Sequence, residues 1–197
     1  ARNDQDMVYK YSDHNIINVL PESNSWEYLL AIDLGYHDAT AFVLAAWSQD
    51  YPELYFIEEH KERNMLAHDV EDKIKRFCTD YNIGKVVMDT GGGSSRMLFE
   101  TFKQRSGLPL VPAKKTSDKV GLIKMMNSDI QTGAIQIIAG MELLDEGSKL
   151  QYNRAGTAED RRYDNHLADA ALYAWTESRH YLFEETKPKP KFGTDEY

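Results

Sequence analysis

Two aspartates close apolar runs of strand length and a third lies in a helical segment. Asp33 closes the apolar run Tyr28 to Asp33 (YLLAID), and Asp89 closes Lys85 to Asp89 (KVVMD) just ahead of the turn TGGGSS. Asp169 lies in DNHLADAALYAW, three residues after His166, so both share one face if the segment is a helix. Carboxylates gathered at one sheet edge repel one another unless cations are bound, and oxygen donors favour hard ions such as Mg²⁺ or Mn²⁺. Two such ions, roughly 3.5 to 4 Å apart, can hold both the attacking water and the departing oxygen of a phosphodiester. Hydrolysis is the chemistry this set suits. Each residue also has a plainer role: Asp33 and Asp89 as turn formers, Asp169 as an ordinary helical residue, His166 as a half-buried or capping group. Their joint placement carries the argument.

The elements that must position them follow from periodicity. YLLAID and Thr40 to Trp47 (TAFVLAAW), separated by the turn-rich GYHDA, read as two neighbouring strands, and Glu53 to Glu59 (ELYFIEE) alternates well enough to be a third. Leu66, Val70, Ile74, Phe77 and Tyr81 recur at helical spacing, predicting a helix from about Leu66 to Asn82 with Cys78 at its border. KVVMD is a fourth strand. Met97, Leu98 and Phe102 mark a helix from about Ser94 to Arg105, with Ser94 or Ser95 as its cap. Pro109 to Ala113 is an edge strand. A helix from about Ser117 to Gln131 follows, with Val120, Ile123 and Ile130 inward and Thr116 or Ser117 capping it. Ala134 to Ile138 is a short strand, Met141 to Leu150 a short helix, and Asn165 to about Phe183 a final helix in which Ala168, Ala170 and Ala171 permit close packing on the sheet. The expected fold is α/β, a ribonuclease-H-like mixed sheet of three antiparallel strands then parallel strands, flanked by helices. In such a sheet the first and fourth strands are neighbours, and Asp33 and Asp89 emerge together. Residues 1–27 are expected to be linker and N-terminal extension, 28–184 the domain, and 185–197 a disordered tail.

The bulk numbers narrow the classes. With 197 residues and 42% hydrophobic content, the chain can bury one real core. A single cysteine, Cys78, excludes an internal disulfide and any Cys-rich zinc site. No apolar run approaches a membrane span or a signal peptide, so a soluble, cytoplasmic protein is expected. A net charge of -9 argues against a nucleic-acid partner, yet Arg96, Lys103, Arg105, Lys114, Lys115, Lys119 and Lys124, against Glu100 and Asp118, give residues 94–128 a net +5. Solvated helix faces would account for that stretch equally well.

The segments AIDLGYHDATAF, VVMDTGGGSSRMLFETF, PAKKTSDKVGLIKMMNSDIQTGAIQI and DNHLADAALYAW resemble the successive motifs of the nuclease domains of bacteriophage large terminases, over roughly Tyr28 to Trp175. The Lys-Thr loop preceding a helix that ends in NSDIQTG is the most specific of them. The resemblance implies an endonuclease that cuts concatemeric double-stranded viral DNA, in the host cytoplasm, with two divalent ions (Mg²⁺ or Mn²⁺) held by Asp33, Asp89 and Asp169. It implies His166 as the histidine of the final motif and Asp38 and Asp164 as accessory acids, although Asp164 also reads as the cap of the last helix. Lys114, Lys115, Lys119 and Arg96 are candidates for phosphate contacts that hold a duplex without reading its sequence. The full-length family members add an N-terminal ATPase domain and work with a portal protein and a small terminase subunit. Here no G-x-x-x-x-G-K-[ST] phosphate loop occurs, and the chain starts at Ala1, so it is expected to be a fragment without the motor.

AIDLG and DTGGGSS also look like the two phosphate loops of the actin, sugar-kinase and Hsp70 ATPases, where glycines let the backbone approach phosphates. Those proteins need two domains facing a cleft, whereas Asp33 and Asp89 are only 56 positions apart. The glycine run also reads as a flexible turn from strand to helix. A junction resolvase or RNA-cleaving enzyme of the same architecture would use the same acids on another nucleic acid. A scaffold that binds portal or capsid would leave them as surface charges.

Overall fold

The computed structural model describes residues 6–35 and 37–183, with side chains as far as Ser178. The tail expected at 185–197 lies outside the described residues.

Strands β2 (Glu27–Asp33), β3 (Ala39–Ser48) and β4 (Tyr51–Arg63) form the antiparallel centre, with Leu30 opposite Leu44 and Asp33 opposite Ala41. Parallel strands extend both sides: β5 (Ile83–Met88) and β6 (Leu110–Pro112) beyond β2, and β7 (Ile135–Ile138) then β1 (Ile16–Ile17) beyond β4. The order is β1-β7-β4-β3-β2-β5-β6, so the first and fourth predicted strands are neighbours. β4 exceeds its predicted length because β3 offers ladder partners out to Ala39, opposite Arg63.

Both faces of the sheet are covered, which is why YLLAID and TAFVLAAW are continuous apolar runs rather than alternating ones. Leu30, Ile32, Phe42 and Leu44 pack against α1 (Ala67–Asp80) and α2 (Gly93–Arg105). Leu29, Ala31, Ala41, Val43 and Ala45 pack against α3 (Lys119–Gln131), α4 (Glu142–Lys149) and α5 (His166–Phe183). Ala168, Ala171 and Ala174 of α5 belong to the same buried cluster as the strand alanines, and the small side chains let α5 lie low across β2, β3 and β4. No described helix is long and apolar enough to cross a membrane.

Several local expectations need correction. Leu66 is 61% exposed, because it is the N-cap of α1 and the neighbouring Met65 takes the buried place. Met97 faces solvent, and Phe99 joins Leu98 and Phe102 inside instead. Neither Ser94 nor Ser95 caps α2. Both lie within its first turn, and the cap is Gly92, whose φ of 97° favours glycine. The cap of α3 is Asp118, whose carboxylate accepts from the Gly121 amide at 2.8 Å, while the Thr116 hydroxyl accepts from the Asp118 amide. The helix starts at Lys119, which leaves Thr116 and Ser117 too far upstream to cap it.

The stretch expected to be linker contributes to the core. Val8 and Tyr9 are buried, the Val8 amide donates to Leu150 O, and Asn127 Nδ2 donates to Val8 O. Asn15, wholly buried, donates to Ile130 O at 2.7 Å and Ile135 O at 2.9 Å. These contacts rest on single buried amides rather than on a repeating pattern, so no periodicity announces them.

Candidate functional site

Parallel pairing of β2 with β5 sets Ile32 beside Met88, and the Asp89 amide donates to Ile32 O at 3.0 Å. Asp33 and Asp89 therefore leave adjacent strands at the same end. Side chains alternate along a strand, so Asp33 shares the face of Ala31 and Asp89 that of Val87, which is the face α5 covers. α5 begins at this end and brings His166 and Asp169 in its first turn. Tyr173, one turn further on, has its ionisation suppressed by burial and then by Asp169, Asp33, Asp89 and Glu159. Four acids thus lie within electrostatic reach of Tyr173.

Each acid carries a cation or donor. The Asp33 side chain, 13% exposed, accepts from His166 Nδ1 at 3.2 Å, and His166 Nε2 lies 3.0 Å from Asp38 Oδ2. Burial raises the Asp33 carboxyl, with His166 opposing and the charge of Asp89 adding to the rise. The hydrogen bond to Asp33 and the two carboxylate charges outweigh burial and push His166 up to about 9. For Asp38 desolvation, the largest single influence, is outweighed by His166, the Ala39 amide and Arg63 together, and its carboxyl falls below the usual range. Asp89 accepts from the Gly91 amide at 2.8 Å and pairs with Lys115 at 2.9 Å. A Cβ on Gly91 would fall 1.7 Å from the Lys115 ammonium, so a side chain there would push this lysine off Asp89. Gly35 is required by the turn after Asp33, since a Cβ would lie 2.3 Å from Ala39 O.

Asp169 is 2.6 Å from the Lys119 ammonium, which also lies 2.5 Å from Glu159. Burial raises the Asp169 carboxyl strongly, with Lys119 pulling it down and Glu159 and Asp33 pushing it up. Among the described residues, no three His, Cys, Asp or Glu side chains stand as a ready-made metal cage. Ammonium groups sit at the oxygens of Asp89 and Asp169 instead. The donor set still suits a hard cation: all are carboxylate oxygens, they lie close enough to raise one another, and Asp169 Oδ1 is buried without a well-aligned hydrogen bond.

The remaining predicted residues divide. Asp164 is not the cap of α5; the helix follows Asn165 directly, and Asp164 faces Arg63 at 3.6 Å and Lys61 at 3.8 Å. Lys115 and Lys119 adjoin the acids themselves, Lys114 points to Glu177 on α5 at 3.7 Å, and Arg96 is exposed on α2 past the glycine run. Sequence reasoning missed Glu159, which sits in the polar connection TAEDRR with no motif around it.

A sequence model of the family described as "Terminase RNaseH-like domain" matches residues 30–178. The chain belongs to this family. Terminase structures share its fold. The large terminase of thermophilic bacteriophage D6E superposes with a TM-score of 0.73 at 16% identity, over 85% of this chain and 44% of that one. The P22 large terminase nuclease domain gives 0.72 at 14%, over 88% and 92%. The large terminase nuclease of thermophilic phage G20c, solved with bound magnesium, gives 0.67 at 18%, over 87% and 97%. The chain therefore spans less than half the length of the D6E protein. No curated protein sequence matches it. Membership in a terminase family favours that reading over the nucleotide-binding one that the glycine run also suggested.

Proposed function

We propose that this domain is the metal-dependent endonuclease of a viral DNA-packaging terminase, hydrolysing phosphodiester bonds of concatemeric double-stranded DNA in the host cytoplasm. Asp33, Asp89 and Asp169 hold two divalent ions, Mg²⁺ or Mn²⁺. The observation that carries this is the meeting of Asp33 and Asp89, from adjacent parallel strands, with Asp169 from the helix above them. Lone strand-end aspartates acting as turn formers have no reason to share one buried face. The bound magnesium of the G20c relative supports the choice of ion.

The ions supply a Lewis acid that activates water and offsets phosphate charge. The chain's own residues prepare for this. The Gly91 amide orients Asp89, and His166, fixed between Asp33 and Asp38, holds the Asp33 carboxylate in one rotamer. Asp38 and Asp164, each about half exposed and paired to Arg63, stand outside as accessory acids. Lys114, Lys115, Lys119 and Arg96 contact phosphates, so affinity falls steeply with salt and sequence preference is weak. The domain runs from about Asp6 to the end of α5, and an ATPase domain, a portal protein and a small terminase subunit are its partners in the full assembly.

Plasmid cleavage with Mn²⁺ tests the reading. The wild-type domain cuts; Asp33→Asn, Asp89→Asn and Asp169→Asn each abolish cutting while circular dichroism stays native. Absence of cutting at any metal concentration removes the nuclease reading, and normal cutting by one variant removes that residue from the ligand set.

A further inference from the structure

Glu159 belongs to the connection between α4 and α5, where a short antiparallel ribbon sets it against Tyr152. Hydrogen bonds from Asn153 N to Ala158 O and from Asp160 N to Gln151 O close the ribbon, each at 2.8 Å. The Glu159 side chain is only 13% exposed, unusual for a carboxylate in a polar connection. Its oxygens are used unequally. Oε2 accepts from Lys119 at 2.5 Å and from Asn165 Nδ2 at 3.3 Å, whereas Oε1 is buried and accepts nothing. Asn165 Nδ2 also reaches Asp169 Oδ2 at 3.4 Å. The Tyr9 hydroxyl, buried and without a partner, has its ionisation opposed by burial first and then by Asp169 and Glu159. Two poorly solvated carboxylates therefore share one ammonium.

A divalent ion at Asp169 changes this balance on one side only. Like charge weakens the hold of Asp169 on Lys119, while the contact with Glu159 remains. A lysine with a long flexible stem and no second anchor would swing into solvent. Anchored at Glu159, it stays beside the acids with N–H donors left over for a phosphate oxygen. Resting on the nuclease reading above, we propose that Glu159 is a positioning residue that keeps the Lys119 ammonium next to the metal-binding acids, where it contacts the phosphate of bound DNA.

The test is a double-mutant cycle with two readouts, Mn²⁺ binding by calorimetry and Mn²⁺-dependent plasmid nicking, on Glu159→Gln, Lys119→Met and the pair. Glu159→Gln is expected to bind Mn²⁺ as wild type does, to raise KM for DNA and to lower turnover about 10- to 100-fold, the range for losing a residue that orients a site. Lys119→Met should raise KM and lower turnover likewise, with Mn²⁺ bound at least as tightly as by wild type because a competing positive charge is gone, and the double variant should nick no worse than Lys119→Met alone. Glu159→Asp, which keeps the charge on a shorter arm, should fall between wild type and Glu159→Gln and guards against a folding defect. Additive losses in the double variant, unchanged nicking by Glu159→Gln, or loss of Mn²⁺ binding (which would make Glu159 a ligand itself) each overturn the proposal. A wild-type domain that binds Mn²⁺ without nicking overturns the nuclease reading instead.

Discussion

Replacing Asp169 by asparagine should stabilise the metal-free domain at pH 8. Burial, with Glu159 and Asp33 adding to it and Lys119 opposing, pushes this carboxyl up to about 7. An ordinary aspartate titrates near ~3.9, so the ionised folded state is disfavoured by at most ~4 kcal/mol. The folded value is raised, so the folded state holds the proton more tightly than the unfolded chain. Stability is then full below about pH 4, falls as pH rises through about 7, and is level above that. Asparagine keeps the shape, removes the charge and leaves Lys119 with Glu159. Because neighbouring acids relax once one of them is neutral, we expect about 1–3 kcal/mol of gain, or roughly 2–10 °C in Tm for a domain of this size. Thermal unfolding in EDTA at pH 4 and pH 8 measures it: the variants should coincide at pH 4 and separate at pH 8. Added Mn²⁺ should stabilise wild type and leave Asp169→Asn nearly unmoved. An asparagine variant no more stable than wild type at pH 8, or a gap that does not change with pH, would refute the placement of Asp169 in a buried acid cluster.

Three further outcomes follow from the same structure. Trp175, with no exposed surface, packs beneath the sheet and donates its indole N–H to Asp129 at 2.8 Å, so Trp175→Ala should cost about 3–5 kcal/mol in urea unfolding. Asn15→Ala removes two buried hydrogen bonds, to Ile130 O and Ile135 O, and should cost about 1–3 kcal/mol; a negligible effect would return residues 6–17 to the status of linker. His166, raised to about 9, adds stability that is complete below about pH 6.5 and lost as pH climbs through 9. Its shift is worth at most ~3 kcal/mol, and we expect about 1–2 because Asp38 is half exposed. His166→Gln in EDTA should flatten that part of the stability profile, and an unchanged slope between pH 6.5 and 9 would count against the His166–Asp33 contact.

The sheet was legible because its strands are buried on both faces and their hydrophobic runs are therefore continuous. YLLAID beside TAFVLAAW, then KVVMD returning next to YLLAID, required only run length and turn residues. Asp33 and Asp89 were legible for the same reason, each closing an apolar run where a charge has no packing role, and Asp169 was legible as a charge set among the small apolar residues of LADAALYAW. Helix starts were less legible, since several nearby polar residues compete for one cap and only the backbone path decides, as Asp118 outcompeting Thr116 shows. The N-terminal segment was hidden because Val8, Tyr9 and Asn15 are each held by a different distant partner. Glu159 was hidden too, since its burial comes from a ribbon that folds against α3 and α5 and leaves no local trace in TAEDRR.

The lysines read from the sequence as phosphate contacts occupy a different place in the folded chain, and the two readings are compatible only through exchange. Lys115 and Lys119 pair with Asp89 and Asp169 at 2.9 and 2.6 Å, which offsets part of the repulsion between the carboxylates, although Asp169 still titrates well above an ordinary aspartate. On the nuclease reading, Asp89 and Asp169 would instead hold divalent ions, and the two ammoniums would be released toward the phosphates of DNA. An acidic protein with a net charge of -9 would otherwise repel the duplex. Within the basic stretch from Ser94 to Ser128, Lys115 and Lys119 are the counter-charges of Asp89 and Asp169, and on the nuclease reading the same two lysines would become counter-charges of the substrate.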